Sequence, residues 1–140
     1  MSSLLVALQF GILALIVTRA FPLRAGPAFG VLLAAGGAIG AWALFANRPG
    51  NFNIRPEPKK GGRLVTGGPY RWVRHPMYLA VLLAAAAFCV DGGAAEWGAW
   101  VALASVLFAK ALREERQLPA FHPEFAAYRR RTRAIFPFLL

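Results

Sequence analysis

The chain has 140 residues, a formal net charge of +10 and a hydrophobic content of 58%. That length suits a single domain, and the apolar share exceeds the roughly 45–50% usual in soluble proteins. The apolar residues fall in long uncharged runs, which argues for a membrane protein. The basic residues flank those runs, so anionic lipid suits them as counter-charge and nucleic acid does not. Cys89 is the single cysteine, which excludes an internal disulfide. Its alanine-rich neighbourhood suits a small buried hydrophobe. With one cysteine and two well-separated histidines, His75 and His122, no zinc-ligand spacing is present and no metal site is expected.

Met1 to Thr18 carries no charged side chain. A secretory signal needs a positive start and a small-residue cleavage site. This segment has neither, so it reads as a retained first transmembrane helix, closed by Arg19, Pro22 and Arg24. Gly26 to Ala46 is a second span of twenty-one uncharged residues, enough to cross roughly 30 Å of hydrocarbon. Gly26/Gly30 and Gly36/Gly40 are small-xxx-small pairs that let another helix approach closely. The Gly36/Gly40 face is a candidate surface for homo-oligomers. Trp42 and Phe45 suit the exit interface.

Asn47 to Arg74 is a polar loop. Pro49, Pro56, Pro58 and Pro69 prevent a continuous helix, and Gly61-Gly62 and Gly67-Gly68 allow tight turns. Arg48, Arg55, Lys59, Lys60, Arg63, Arg71 and Arg74 make it strongly basic, which places it in the cytoplasm by the positive-inside rule. Pro76 to Val90 is the third span, with proline at the first helical position. Asp91-Gly92-Gly93 is a turn without basic residues. The fourth span runs from about Ala94 to Leu112, with Glu96 at its edge and Trp97 and Trp100 as interface anchors. A charged helix, Lys110 to Leu118, is expected to stop at Pro119. An amphipathic helix from about Glu124 to Arg133 follows. Its Arg129, Arg130, Arg131 and Arg133 suit a surface touching anionic lipid, and the chain ends on the apolar Ile135 to Leu140.

The expected architecture is therefore an all-α integral-membrane helical bundle. It has about four transmembrane helices and a C-terminal amphipathic helix in one domain, residues 1–140. Residues 1–46 form the two N-terminal spans, and residues 61–137 the functional core. Four spans put both termini in the cytoplasm. That leaves Arg19 and Arg24 outside, against the charge rule.

Between His75 and Glu114 the chain crosses outward on one helix and returns on the next. Arg74, His75 and Tyr78 should therefore meet Glu114 and Glu115 on one membrane face. The third span has only fifteen uncharged residues, or roughly 23 Å of helix. Its ends must thin the bilayer or draw polar residues inward, so that these ionisable groups sit at or just below the headgroups, where they are costly and mark function. Each has a plainer role available. The arginines could be interface anchors, and His75 a helix cap. The glutamates could pair along their own helix with Lys110, Arg113 or Arg116. The aromatics Tyr70, Trp72 and Tyr78 could be a belt.

The full set offers arginine for a carboxylate, and glutamate and aromatic faces for a cation. S-adenosylmethionine combines a sulfonium cation, an amino acid end and an adenosine. No Gly-x-Gly-x-x-Gly follows a predicted strand, so a Rossmann cofactor fold is excluded.

Gly62-Arg63-Leu64-Val65-Thr66-Gly67-Gly68-Pro69-Tyr70, Arg74-His75-Pro76-Met77-Tyr78, Glu114 to Leu118 and Phe121 to Tyr128 together resemble the isoprenylcysteine carboxyl methyltransferase family. Membrane phospholipid methyltransferases share the signature. The similarity covers about Gly61 to Pro137. The resemblance implies an integral-membrane methyltransferase using S-adenosylmethionine. It implies cofactor contacts from Arg63, Leu64, Val65, Tyr70, His75, Pro76, Met77, Tyr78 and Glu114, to which the carboxylate argument adds Arg74. It also implies a lipophilic small-molecule acceptor entering from the bilayer, oriented by Lys110, Glu115 and Arg129, with Glu115 as the candidate base. Lys110 stands where relatives often carry arginine, and lysine is a point charge without the bidentate fork. The active site is expected on the cytoplasmic side of the inner membrane. Two other readings are a sterol-reductase-like enzyme using NADPH and a non-enzymatic helical membrane subunit.

Overall fold

Uncharged runs of leucine, alanine and valine leave the backbone nothing to pair with in lipid but itself, so they coil. The computed structural model describes residues 2–22, 26–47 and 62–137. Arg24, Arg48, Pro49, Arg55, Pro56, Pro58, Lys59, Lys60, Gly61 and residues 138–140, used in the reading above, lie outside the described residues. The helices are α1 (Ser2–Arg19), α2 (Pro27–Asn47), α3 (Pro76–Cys89), α4 (Ala94–Phe121) and α5 (Phe125–Arg131), with a 3-10 turn at Gly68–Arg71. Among the described residues there is no strand, only a single parallel bridge between Val73 and Arg133. By length and composition α2 and α4 can cross a membrane, and α1 and α3 are apolar but shorter. Leu4, Phe10, Val31, Leu44, Phe45 and Val101 are each more than half exposed, as lipid-facing side chains would be.

Two boundaries differ from the sequence reading. The fourth span and the charged segment are one helix of 28 residues that runs through Pro119 to Phe121. Proline in the last turn forfeits a single N–H bond, and His122 N–H still closes the turn on the Leu118 carbonyl at 2.8 Å. The amphipathic helix ends earlier than expected, at Arg131. The cause is that the backbone of Arg133 is taken by the Val73 bridge.

α1 runs antiparallel to α4, held by one polar contact near its middle and one at its end. Lys110 Nζ donates to Gln9 Oε1 at 2.6 Å, and Arg19 Nε donates to Glu96 Oε1 at 2.9 Å. The second contact gives Arg19, at the end of α1, a counter-charge on α4. α2 packs along α3. A Cβ built at Gly36 would lie 2.8 Å from the Ala80 carbonyl oxygen and 3.0 Å from the Ala84 nitrogen, and one at Gly40 3.5 Å from Ala80 Cβ. The Gly36/Gly40 face, a candidate for pairing two copies, is therefore spent inside one chain against α3. Gly26 and Gly30 meet nothing within 4 Å.

The centre is filled by Ile16 of α1, Leu82, Ala85 and Cys89 of α3, Leu103, Leu107 and Ala111 of α4, and Ala134 and Ile135 after α5. Burying Ile135 pulls the end of the described chain back under the start of α3. This packing generates a first prediction. Gly36→Ala drives a methyl into backbone and should cost about 1–3 kcal/mol, read as a lower thermal midpoint in detergent. Gly37→Ala, at a position with nothing within 4 Å, should leave the midpoint unchanged or raise it.

Candidate functional site

The Gly67 to Tyr78 stretch reaches its position by three local devices. Gly68 sits at φ 58°, and a Cβ there would lie 2.8 Å from Ala46 Cβ and 3.2 Å from Trp42 Nε1. Glycine is therefore required to seat the 3-10 turn on the end of α2. The extended residues after it pair with the chain following α5. Arg133 N–H donates to the Trp72 carbonyl (2.9 Å), Arg74 N–H to the Arg133 carbonyl (2.8 Å) and His75 N–H to the Ala134 carbonyl (2.9 Å). Tyr128 O–H donates to the Tyr70 carbonyl at 2.6 Å. Pro76 then opens α3.

This framework turns Arg74 and His75 toward the acidic pair of α4. Arg74 forks onto Glu115, with Nε to Oε1 at 2.7 Å and Nη2 to Oε2 at 3.2 Å. Both side chains are buried, 8% and 5% exposed. Arg74 Nη1 also donates to the Thr132 carbonyl at 2.5 Å and the Arg129 carbonyl at 3.3 Å. Arg129 Nε lies 3.3 Å from Glu115 Oε2. The His75 ring is wedged between the two acids, with Nε2 3.2 Å from Glu115 Oε1 and Nδ1 3.3 Å from Glu114 Oε2. Glu114 Oε1 accepts the phenol O–H of Tyr78, whose ring stacks on His75 at 5.3 Å and 8°.

The plainer roles are thereby displaced for most of these residues. His75 occupies the N-cap position of α3, yet its side chain makes no cap hydrogen bond. The glutamates pair across to the start of α3.

Ionised carboxylates only accept, so both imidazole contacts are satisfied when the ring carries two N–H protons. Burial works against that charge, but hydrogen bonds and attraction from Glu114 and Glu115 outweigh it. The net effect raises the His75 pKa above its ordinary 6.5. Burial, with the nearby Glu114 charge, pushes Tyr70 up to about 12, keeping it a neutral phenol.

Lys110 is 1% exposed. Its Nζ lies 5.2 Å from the centroid of the Tyr78 ring while bonded to Gln9. It therefore sits beneath the cluster, not on an open surface. Met77 is half-buried and Pro76 buried. Arg63, Leu64 and Val65 lie on the irregular segment ahead of the 3-10 turn, with Arg63 exposed and the other two half-buried. Three residues of this arrangement had not been singled out as site residues: Gln9, Tyr128 and Thr132. A lone amide in the middle of an otherwise apolar span was the available signal for Gln9. Tyr128 bonds its phenol to a backbone carbonyl and Thr132 offers its own carbonyl, pairings with main chain that residue type does not reveal.

The model of the isoprenylcysteine carboxyl methyltransferase family matches residues 30–119, nearly two thirds of the chain. The chain belongs to that family. The match begins inside α2, earlier than the diagnostic residues suggested, and ends at Pro119, before α5. The matching family is one of membrane methyltransferases rather than reductases. A curated relative, the cobalt-zinc-cadmium resistance protein CzcN of Cupriavidus metallidurans, is 41% identical over 81 residues. That similarity covers 56% of this chain and 38% of the relative, so the chain spans well under half of the relative's length. No solved structure matches the chain.

Two outcomes follow from the cluster. Glu115→Gln leaves the buried Arg74 guanidinium without a full counter-charge and should cost about 3 kcal/mol, seen as a lower thermal or denaturant midpoint. His75 binds its proton more tightly folded than unfolded. Its contribution is therefore complete below about pH 6.5 and is lost as pH rises through the raised folded value. The thermal midpoint should fall over that upward range, and His75→Gln should remove this part of the pH dependence.

Proposed function

We propose that this chain is an S-adenosylmethionine-dependent methyltransferase acting on a lipophilic acceptor at the membrane interface. The observation that carries the reading is the buried chain Arg74–Glu115–His75–Glu114–Tyr78, held where α3 begins and α4 nears its end. The donor set fits the cofactor. Glu115 is engaged by Arg74, His75 and Arg129. Glu114 keeps 22% of its side chain exposed, bonded to the Tyr78 phenol and close enough to Tyr70 to act on its ionisation. An accessible carboxylate among neutral phenols is suited to a cation. When bound, S-adenosylmethionine supplies a methyl group on a sulfonium sulfur, a leaving group that needs no protonation.

The chain's own residues supply position and dryness. Glu114, Tyr70 and Tyr78 hold the cofactor, with His75 fixing the orientation of Glu114. The Arg63 to Val65 segment, Pro76 and Met77 complete its walls. Glu115 serves to hold Arg74 and His75. A carboxylate already accepting from three cationic side chains is a poor base, so the site suits an acceptor that attacks as an anion. A carboxylate on a lipophilic molecule is such an acceptor. Arg129, 60% exposed, is the cation that would orient it, while Lys110 braces the cluster from beneath through Gln9.

We further propose that α1 and α3 complete a four-helix membrane bundle with α2 and α4. The arginines of α5 then face the cytoplasm, in keeping with the positive-inside rule. The relative's name links that protein to cobalt, zinc and cadmium resistance. Among the described residues no group of three His, Cys, Asp or Glu side chains could hold a metal ion, so only the shared family is carried over.

The test is binding first, then transfer. S-adenosylmethionine should bind the purified chain by calorimetry, and Glu114→Gln should weaken it tenfold or more, about 1.4 kcal/mol. Radiolabelled methyl should move onto a prenylated cysteine carboxylate. Glu114→Gln binding like wild type would remove the site assignment.

A further inference from the structure

A groove of about 440 Å³ lies between α2, the start of α3 and α5. It shares no lining residue with the His75 cluster. Ile39 and Trp42 of α2, Trp72 and Leu79 form its apolar wall, and Arg130, Arg131 and Arg133 stand at its polar end. No lining residue carries a carboxylate. The neighbouring Arg129 turns the other way, to Glu115.

Its depth can be read from the aromatics. Trp42 and Trp72 meet edge to face at 5.5 Å, and both remain about half exposed, 46% and 50%. Tryptophans so placed settle at headgroup level. Ile39 lies about one turn back from Trp42 toward the middle of α2, and Leu79 one turn into α3. The groove therefore passes from a cationic rim into an apolar trough. A soluble anion would leave the trough unused, and a neutral lipid would leave three guanidinium groups unmatched. A molecule with a phosphate head and an acyl tail meets both ends.

We propose that this groove holds an anionic phospholipid, with its phosphate on Arg130, Arg131 and Arg133 and an acyl chain along Ile39 and Leu79. The groove wall at Trp72 and Val73 belongs to the same extended segment that carries Arg74 and His75. The bound lipid thus braces the functional site from its other side.

The full chain in detergent is titrated with dioleoylphosphatidylglycerol or dioleoylphosphatidylcholine, and the thermal midpoint is read. Phosphatidylglycerol should raise the midpoint by about 3 °C or more beyond phosphatidylcholine. The Arg130→Gln/Arg131→Gln/Arg133→Gln variant should lose that increment. Ile39→Trp, which fills the trough, should reduce it and covers the case in which the triple variant fails to fold. Equal midpoints in the two lipids, or an increment that survives these variants, overturns the proposal. So does an equal rise with glycerol 3-phosphate, which would make the site one for soluble anions. Loss of the increment on adding S-adenosylmethionine would assign the groove to the cofactor and also overturn it.

Discussion

A guanidinium and an imidazole locked onto two adjacent carboxylates organise this molecule. Arg74 and Glu115 are both nearly inaccessible, and either one alone would be an uncompensated buried charge. The pair therefore acts as a constraint on everything around it. The start of α3 must meet the end of α4. The end of α5 and the segment after it must lie close enough for the Arg129 and Thr132 carbonyls to accept from Nη1 of Arg74. His75, with a carboxylate on each ring nitrogen, sets the two glutamates to different tasks. Glu115 is consumed internally, while Glu114 retains accessible surface.

The helices serve this constraint by close approach. α3 has only 14 residues, roughly 21 Å of rise, so its polar start stays near its apolar core. Gly36 brings α2 onto α3 at backbone distance, and Gly68 fits the 3-10 turn against the end of α2. α1 is held to α4 by Gln9 on Lys110 and Arg19 on Glu96. Polar contacts of this kind are few in a bundle whose outer faces are leucine, valine and phenylalanine. They fix register where hydrophobic packing alone is permissive.

The two faces of the Trp72–His75 segment give the chain a division of labour. One face carries Arg74 and His75 to the acids. The other, with Trp72 and Val73, lines an arginine-rimmed groove. The end of α5 and the residues after it repeat the split, with Arg129 on Glu115 and Arg130, Arg131 and Arg133 on the groove. The chain leaves the 3-10 turn at Trp72 in a helical conformation and is straightened only from Val73 by its bonds to the segment after α5, so neighbouring residues of one short segment serve two sites.

Residue order alone determined the all-helical class, the apolar runs and their approximate limits, and the meeting of His75 with the acidic pair. Those features depend on local hydropathy and on counting two crossings, which are properties of neighbours in the chain. Pro119 inside α4 shows the limit of such reasoning, since a local rule for helix ends yielded to the bond pattern of the last turn. The burial of Lys110 on Gln9, the return of Ile135 into the core and the turning of Gly36 toward α3 were decided by tertiary structure. Each joins residues far apart in sequence, and a residue's type does not say which distant partner will satisfy its charge or fill its space.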